Sequence, residues 1–125
     1  MTTAPSTLAA PFSVPVEDVD LVPDSGGFPG EVLEGDPRMS TAVLWAAADR
    51  AVVRGVWECE PGRFTWNFPR NETLVVLRGH ARVRVEGGPE LVLSPGAVAA
   101  FRSGDRTEWE VTETVRKVFV VDSAH

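Results

Sequence analysis

Short stretches of alternating apolar and polar residues, separated by glycine and proline turns, fill the chain from residue 41 onward. They recur at intervals of about 8 to 12 residues, which is typical of a β-sandwich or a small barrel. Turns are expected at Gly87-Gly88-Pro89, Pro95-Gly96 and Ser103-Gly104-Asp105. The alanines of 42–49 also permit a short helix, because periodicity does not separate the two structures over so few residues. The pattern predicts strands near 41–47, 51–59, 63–68, 73–78, 81–86, 90–93, 98–101, 107–111 and 115–121.

The size and charge of the chain argue against several other classes of protein. At 125 residues it has room for one domain with a modest core. A formal charge of -6 argues against nucleic acid or an anionic membrane as the main partner. No apolar stretch approaches the roughly 20 residues that a membrane helix requires, and the first residues lack the basic region of a signal peptide.

The cysteine and lysine usage adds two further constraints. One cysteine, Cys59, permits no internal disulfide and suits a reducing compartment, so we expect a cytoplasmic protein. Neither histidine is near Cys59 in sequence, so we expect a small buried strand residue and not a reactive thiol. The basic side chains are almost all arginine, and Lys117 is the only lysine.

Residues 1–40 differ in composition from the rest of the chain. They are rich in proline and glycine and carry seven acidic residues before the first arginine, Arg38. Such a segment buries little apolar surface alone, so we predict an N-terminal arm at 1–40 and one domain at 41–125. The scattered apolar residues of the arm, from Phe12 to Phe28, could lie along the outside of a sheet or reach a partner subunit. We expect a homodimer stabilised partly by residues 12–28.

The segment "GRFTWNFPRNETLVVLRG", residues 62–79, carries Glu72 followed seven positions later by Gly79. That separation resembles the first motif of the cupin family, in which two histidines precede the glutamate. Trp66 and Phe68 stand at the two histidine positions. The second cupin motif contains two glycines, a proline and a histidine, and this chain has Gly96, Arg102, Gly104 and Thr107 in their places.

Several further phrases resemble one branch of the cupins. They are Trp57-Glu58, Pro61-Gly62, Asn71-Glu72-Thr73, Trp109 and Val115-Arg116-Lys117, spread over residues 41–121. The branch is cupin_3, or DUF861, which includes the cupin domain of (S)-ureidoglycine aminohydrolase and the ethanolamine-utilisation cupins. The resemblance implies an all-β fold, the cupin double-stranded β-helix, which is a small barrel like a jelly roll.

The resemblance does not extend to a metal site. In metal-bearing cupins three histidines and the glutamate bind a divalent metal inside the barrel. Three of those four positions are Trp66, Phe68 and Thr107 here, so we expect no metal and no other cofactor. Of the two histidines, His80 follows Gly79 and is expected in a solvated turn, while His125 is the last residue of the sequence.

Strand alternation predicts which side chains enter the barrel. Phe64, Trp66, Phe68 and Glu72 share one parity, and Thr107 and Trp109 join them from the second motif. The aromatic rings could fill the interior as simple core, or they could wall a pocket with Glu72 and Thr107 as its polar groups. We take these six residues as the candidate ligand-binding set.

Glu72 is the residue that separates the functional alternatives. A carboxylate among aromatic rings is desolvated unless a donor meets it, and the candidate partners are Arg54, Arg70, Arg102 and Arg106. With a partner, Glu72 is structural or orients a ligand. Without one, it is a candidate catalytic acid or base.

Three hypotheses follow from these residues. The first is a metal-free cupin that binds a small, partly apolar metabolite in an aromatic-lined barrel pocket. The second is a metal-independent enzyme, of the isomerase, cyclase, lyase or hydrolase type, that uses Glu72 as acid or base. The third is a degenerate cupin that acts as an interaction module through its surface.

Overall fold

A computed structural model describes residues 8–123, and it is almost entirely β-structure. A single 3-10 turn, Val16–Asp18, precedes the first strand. No helix in residues 8–123 is long and apolar enough to cross a membrane. The nine strands are β1 (Val22–Pro23), β2 (Val32–Gly35), β3 (Met39–Ala46), β4 (Val52–Cys59), β5 (Gly62–Asn67), β6 (Asn71–Val85), β7 (Glu90–Leu93), β8 (Val98–Phe101) and β9 (Arg106–Asp122).

Two long antiparallel strands, β6 and β9, connect the two halves of the barrel. The N-terminal part of β6 pairs with β8 and with the C-terminal part of β9, which in turn pairs with β4. The C-terminal part of β6 pairs with β7 and with the N-terminal part of β9, which pairs with β5. β3 and β1 extend the first half, and β2 extends the second. The result is the all-β double-stranded β-helix that the resemblance implies.

The two halves meet at a bend near Gly79. The pairing of β6 with β9 is irregular between residues 76 and 81, and Gly79 adopts a positive φ of 93°. A Cβ at residue 79 would lie 2.1 Å from the carbonyl oxygen of Thr114, so the backbone of β9 approaches too closely for any side chain. The bend also changes which residues face inward, from Leu74 and Val76 before it to Ala81 and Val83 after it.

The interior is filled by apolar side chains from both halves. The largest fully buried side chains are Trp109 and Phe64, whose rings stack with centroids 5.9 Å apart. Phe68 and Phe101 stack at 4.3 Å on another side of the same cluster. Rings of this size bury roughly 150 to 250 Å² each, so they account for much of the hydrophobic stabilisation of so small a domain.

The described part of the arm packs against the domain. β1 pairs with β3 and β2 pairs with β5, which adds one strand to each half of the barrel. The Phe28 ring stacks on Trp66 with centroids 5.5 Å apart. The described arm residues therefore pack on the domain of their own chain, where β1 and β2 extend the sheet and Phe28 contacts the aromatic core instead of the outside of the sheet.

The predicted strands are confirmed, but two pairs of them are merged, and β1 and β2 were not predicted. The strands predicted at 73–78 and 81–86 form the single strand β6, and those at 107–111 and 115–121 form β9. Gly79 was expected to end a strand, but it bends one, because the strand continues by changing its pairing partner. The short helix that alanines permit at 42–49 does not form, since Met39–Ala46 is a strand paired with β4.

Candidate functional site

A buried ion pair between Lys117 and Glu72 lies inside the first half of the barrel. The Nζ atom of Lys117 is 2.5 Å from Oε2 of Glu72. Lys117 is 4% exposed and Glu72 is 7% exposed, so water screens the pair very little. Removing one partner from a buried pair is strongly unfavourable, because it leaves the other charge without compensation. The fold therefore holds both charges together at this position.

The register of β6 and β9 brings the two side chains to the same face. Glu72 is opposite Val121, and Lys117 is opposite Val76. Because side chains alternate along a strand, residues 72 and 76 point inward together with residues 117 and 121. The long lysine side chain then spans the remaining separation along the strands.

Aromatic rings surround the Lys117 ammonium group. Its Nζ atom lies 4.4 Å from the ring centroid of Trp57, 5.4 Å from that of Trp109 and 5.9 Å from that of Phe119. A cation within about 6 Å of a ring face is attracted by the ring quadrupole. The ammonium group is thus stabilised by one carboxylate and by the rings, a less polar environment than water provides.

A small pocket opens beside the ion pair. It has a volume of about 170 Å³. We call it the Lys117 pocket, and it is lined by Asp24, Thr41, Trp57, Trp66, Glu72, Lys117 and Phe119.

One wall of this pocket contains an unpaired hydrogen-bond donor. The indole Nε1 of Trp57 is buried and has no hydrogen-bond partner within residues 8–123. Buried polar groups in folded proteins nearly always have a partner, so the unpaired Trp57 donor is unusual, and it has no surface open to a ligand in this structure.

Five of the six residues predicted to bind a ligand divide into two groups. Trp66 and Glu72 line the Lys117 pocket. Phe64, Phe68 and Trp109 are in the hydrophobic core, and each stacks on another ring. The two interpretations of the aromatic rings, core and pocket wall, therefore apply to different residues of the same set.

Thr107, the sixth residue, is buried and already hydrogen-bonded. Its hydroxyl donates to the Trp66 carbonyl oxygen at 2.8 Å and accepts from Nε1 of Trp109 at 3.0 Å. These bonds hold β5 against β9 and fix the Trp109 ring. Thr107 is thus placed to support the aromatic core, and it does not line the Lys117 pocket.

The residues at the cupin ligand positions do not fit a divalent metal. Trp66 and Phe68 offer no side-chain atom that binds such a metal. The Thr107 hydroxyl already donates one hydrogen bond and accepts another. Glu72 is paired with a cation. In residues 8–123 no group of three His, Cys, Asp or Glu side chains comes together as a metal site. His80 lies within β6, where its Nδ1 is 3.2 Å from the Thr112 hydroxyl, and His125 is outside the described residues.

The four arginines considered as partners of Glu72 are all engaged elsewhere, so that expectation is wrong. Sequence reasoning noted Lys117 as the only lysine but did not assign it to the site. A signal was available, because Lys117 continues the inward parity of Thr107 and Trp109 along β9. Arg54 lies over the Trp45 ring, Arg70 donates to the Arg50 carbonyl, Arg102 pairs with Asp105 and Arg106 pairs with Glu86.

A larger hollow of about 630 Å³ lies on the surface of the second half of the barrel, away from the Lys117 pocket. Its walls include Arg106 and Glu86, which pair with each other, and Glu108, which pairs with Arg63. Exposed ion pairs of this kind are common on solvated surfaces and contribute little energy. We place the candidate site at the smaller pocket, because Glu72 and Lys117 in its wall are buried.

Cys59 is a structural residue, as predicted. It is fully buried in β4, and its thiol donates to the Glu60 carbonyl oxygen at 3.3 Å. Burial raises the pKa of the Cys59 thiol to about 12, despite the opposing effect of the nearby Lys117 charge. The reactive thiolate form is therefore scarce at neutral pH.

The double-stranded β-helix and the inward position of Glu72 define this protein as a cupin. The family model of the EutQ-like cupin domain, Cupin_3, matches residues 46–119. The chain therefore belongs to the EutQ-like cupin family. No curated protein matches the chain.

Solved structures with the same fold differ in what they are described as doing. A protein described as ethanolamine utilization protein Q, from Salmonella typhimurium LT2, is 24% identical and has a TM-score of 0.61, over 70% of this chain and 72% of that one. Ectoine synthase from P. lautus is 16% identical with a TM-score of 0.61, over 74% and 68%. The cupin domain of Schizosaccharomyces pombe Cnp3 is 14% identical with a TM-score of 0.67, over 90% and 74%. At these identities the comparisons show the fold alone.

Proposed function

We propose that this protein binds a small, partly apolar metabolite in the Lys117 pocket without a metal. The observation that carries the proposal is the buried Lys117–Glu72 pair in the wall of that pocket. Paired charges within an apolar interior are energetically costly and are often neutral to replace with apolar side chains. Because the two charges lie beside a pocket, they can contact a bound ligand.

The dimensions of the pocket limit the ligand. Its volume of about 170 Å³ is well below the roughly 300 to 1,000 Å³ of sites for drug-sized ligands. Trp57, Trp66 and Phe119 supply apolar walls, which favour a ligand with some hydrocarbon surface. We expect a compound of a few carbon atoms.

The charges of the pocket limit the ligand further. Two carboxylates, Asp24 and Glu72, face one ammonium group, Lys117. The excess of one negative charge disfavours an anion and favours a neutral or cationic compound.

Tryptophan fluorescence provides the experiment, since Trp57 and Trp66 both line the pocket. A panel of small neutral and cationic metabolites is titrated into the protein, and emission is recorded. We expect at least one compound to change the emission saturably, and we expect Glu72→Gln to weaken its binding by about 1 to 3 kcal/mol. The matched control is Glu108→Gln, which disrupts the partly buried pair with Arg63 at 3.0 Å, outside the Lys117 pocket. Equal effects of the two variants, or no saturable change with any compound, would refute the proposal.

A metal-independent enzyme is the second candidate, and the direct Nζ–Oε2 contact favours it. An amine and a carboxylate in contact exchange a proton easily, which is the basis of acid–base catalysis. If the protein is such an enzyme, Glu72→Gln abolishes turnover of a bound compound, while the binding of that compound is largely retained. The interaction module would instead be favoured if no compound of the panel bound the pocket.

A further inference from the structure

The chemistry of Lys117 extends beyond charge pairing. An ammonium group in direct contact with a carboxylate can pass a proton to it, and the amine that results is a nucleophile that forms Schiff bases with carbonyl compounds. Lys117 has this environment, because it is 4% exposed, touches Glu72 and lies against the Trp57 ring. It is also the only lysine of the chain.

We propose that Lys117 captures a small neutral aldehyde or ketone as a Schiff base, with Glu72 as the proton carrier. This inference rests on the proposed function, since it requires that a compound enter the Lys117 pocket. It names the class of ligand and the bond that holds it.

The reaction begins with transfer of one proton from the Lys117 ammonium to Oε2 of Glu72, which is 2.5 Å away. The amine nitrogen then forms a bond to the carbonyl carbon, and Glu72 returns the proton to the carbonyl oxygen. Glu72 next removes a proton from the nitrogen and delivers it to the hydroxyl group, which leaves as water. The products are a protonated Schiff base, one water molecule and the Glu72 carboxylate, so atoms and charge balance without an oxidant or reductant.

The pocket contains groups for each stage of this reaction. The Schiff base keeps the positive charge of the lysine, so Glu72 and the Trp57 ring stabilise the product as they stabilise the ammonium. The direct contact between Nζ and Oε2 serves the proton transfers that precede the product.

The charge of the pocket also selects among carbonyl compounds. A 2-keto acid brings a carboxylate toward Asp24 and toward the buried Glu72, and repulsion between like charges is stronger where water is excluded. A neutral aldehyde or ketone of a few carbon atoms avoids this repulsion and matches the size of the pocket. Cys59 does not compete as a nucleophile, because its thiol is fully buried and does not line the pocket.

The experiment is reductive trapping of the full chain with propanal and cyanoborohydride, which converts a Schiff base to a stable secondary amine. Intact mass and peptide mapping then locate the added propyl group. Because the chain has one lysine, a side-chain product can only be at Lys117. We expect trapping at Lys117 in the native protein and a higher ratio of Lys117 to α-amine product than in the denaturant-unfolded chain, where both amines are exposed.

Three controls make the result specific. Lys117→Arg keeps the charge but has no amine that forms a Schiff base, so side-chain trapping should disappear. Glu72→Gln should slow trapping by about 100-fold or more, the range that general acid–base groups contribute. Glyoxylate, which is anionic, should be trapped at Lys117 more slowly than propanal, relative to the α-amine. Far-UV circular dichroism checks the folding of each variant.

The Schiff-base proposal is overturned if the ratio of Lys117 to α-amine product is no higher in the native protein than in the unfolded chain. That comparison needs no variant. Failure of the two proposals can also be told apart. If Lys117 is not trapped but a metabolite changes tryptophan emission in a manner that depends on Glu72, the pocket binds ligands without a covalent bond. If neither occurs, the proposed function is wrong as well.

Discussion

Lys117 and Arg116 are neighbours in β9 and hold their charges on opposite faces of the sheet. Lys117 reaches Glu72 inside the barrel, while Arg116, which is 5% exposed, reaches Glu58 with a 3.0 Å contact from its Nη1. The Nη2 atom of Arg116 also donates to the carbonyl oxygens of Val16 and Val19, at 2.9 and 2.8 Å. These two consecutive residues of β9 thus contact the candidate site on one face of the sheet and the N-terminal arm on the other.

We predict that Arg116→Met loosens the arm. The substitution removes three charge-assisted hydrogen bonds but leaves Glu58 its second partner, Arg78, at 3.1 Å. A hydrogen bond to a charged group contributes about 1.5 to 3 kcal/mol, so we expect the loss of all three to cost at least about 2 kcal/mol. Urea denaturation measures that loss, and limited proteolysis should cut the arm sooner. Arg78→Met, at the exposed end of the same cluster, should cost at most about 1 kcal/mol. Similar losses in the two variants would show that Arg116 does not fasten the arm.

The Lys117–Glu72 pair should be strongly coupled. We predict that Lys117→Met destabilises the protein by about 3 to 5 kcal/mol, because it leaves the Glu72 carboxylate buried without a cation. The double variant Lys117→Met, Glu72→Leu should lose less than this single variant, since both charges are then absent. A cycle of denaturation measurements gives the coupling energy. Additive losses would mean that the two side chains do not interact in solution.

We expect Gly55 to tolerate no side chain, because a Cβ atom there would approach both the backbone of β3 and a ring that lines the pocket. A Cβ at residue 55 would lie 2.4 Å from the Ala42 carbonyl oxygen and 2.8 Å from the ring of Phe119, which lines the Lys117 pocket. We predict that Gly55→Ala costs about 1 to 3 kcal/mol and weakens ligand binding, since the ring must move. Gly27→Ala is the control, because no atom lies within 4 Å of its Cβ position. Thermal unfolding of both variants tests the prediction, which fails if they melt together.

The homodimer expected from the sequence stays a prediction. Its measurement is the mass in solution of the full chain and of a chain lacking residues 12–28. We expect the full chain to be a dimer. We expect the deletion variant to be a monomer with a lower melting temperature, because those residues cover apolar surface that includes Trp66. The same number of subunits and the same melting temperature in both chains would show that the segment contributes neither to association nor to stability.

The fold was largely predictable from the sequence, because its determinants are local. Alternation and turn residues located most strands, and the spacing of Glu72 and Gly79 indicated the family. The continuity of β6 and β9 was not predictable in the same way. A glycine with a positive φ ends many strands, and only the pairing with β9 shows that Gly79 bends this one.

The candidate site was predictable only in part. The inward position of Glu72 and Trp66 followed from parity, which is a property of one strand. The partner of Glu72 depends on the register between two strands, and Lys117 is 45 residues away in sequence. Four arginines were the predicted candidates, whereas the buried cation is the single lysine.

That single lysine also permits the most direct test of the account. Protein labelled with ¹³C-lysine gives side-chain NMR signals from Lys117 alone. If the Lys117 pocket is the binding site, a metabolite that changes tryptophan emission will shift the Lys117 Cε signal with the same dissociation constant, and Glu72→Gln will weaken both effects together. A Lys117 signal that stays unchanged while the metabolite saturates the fluorescence change would contradict the account.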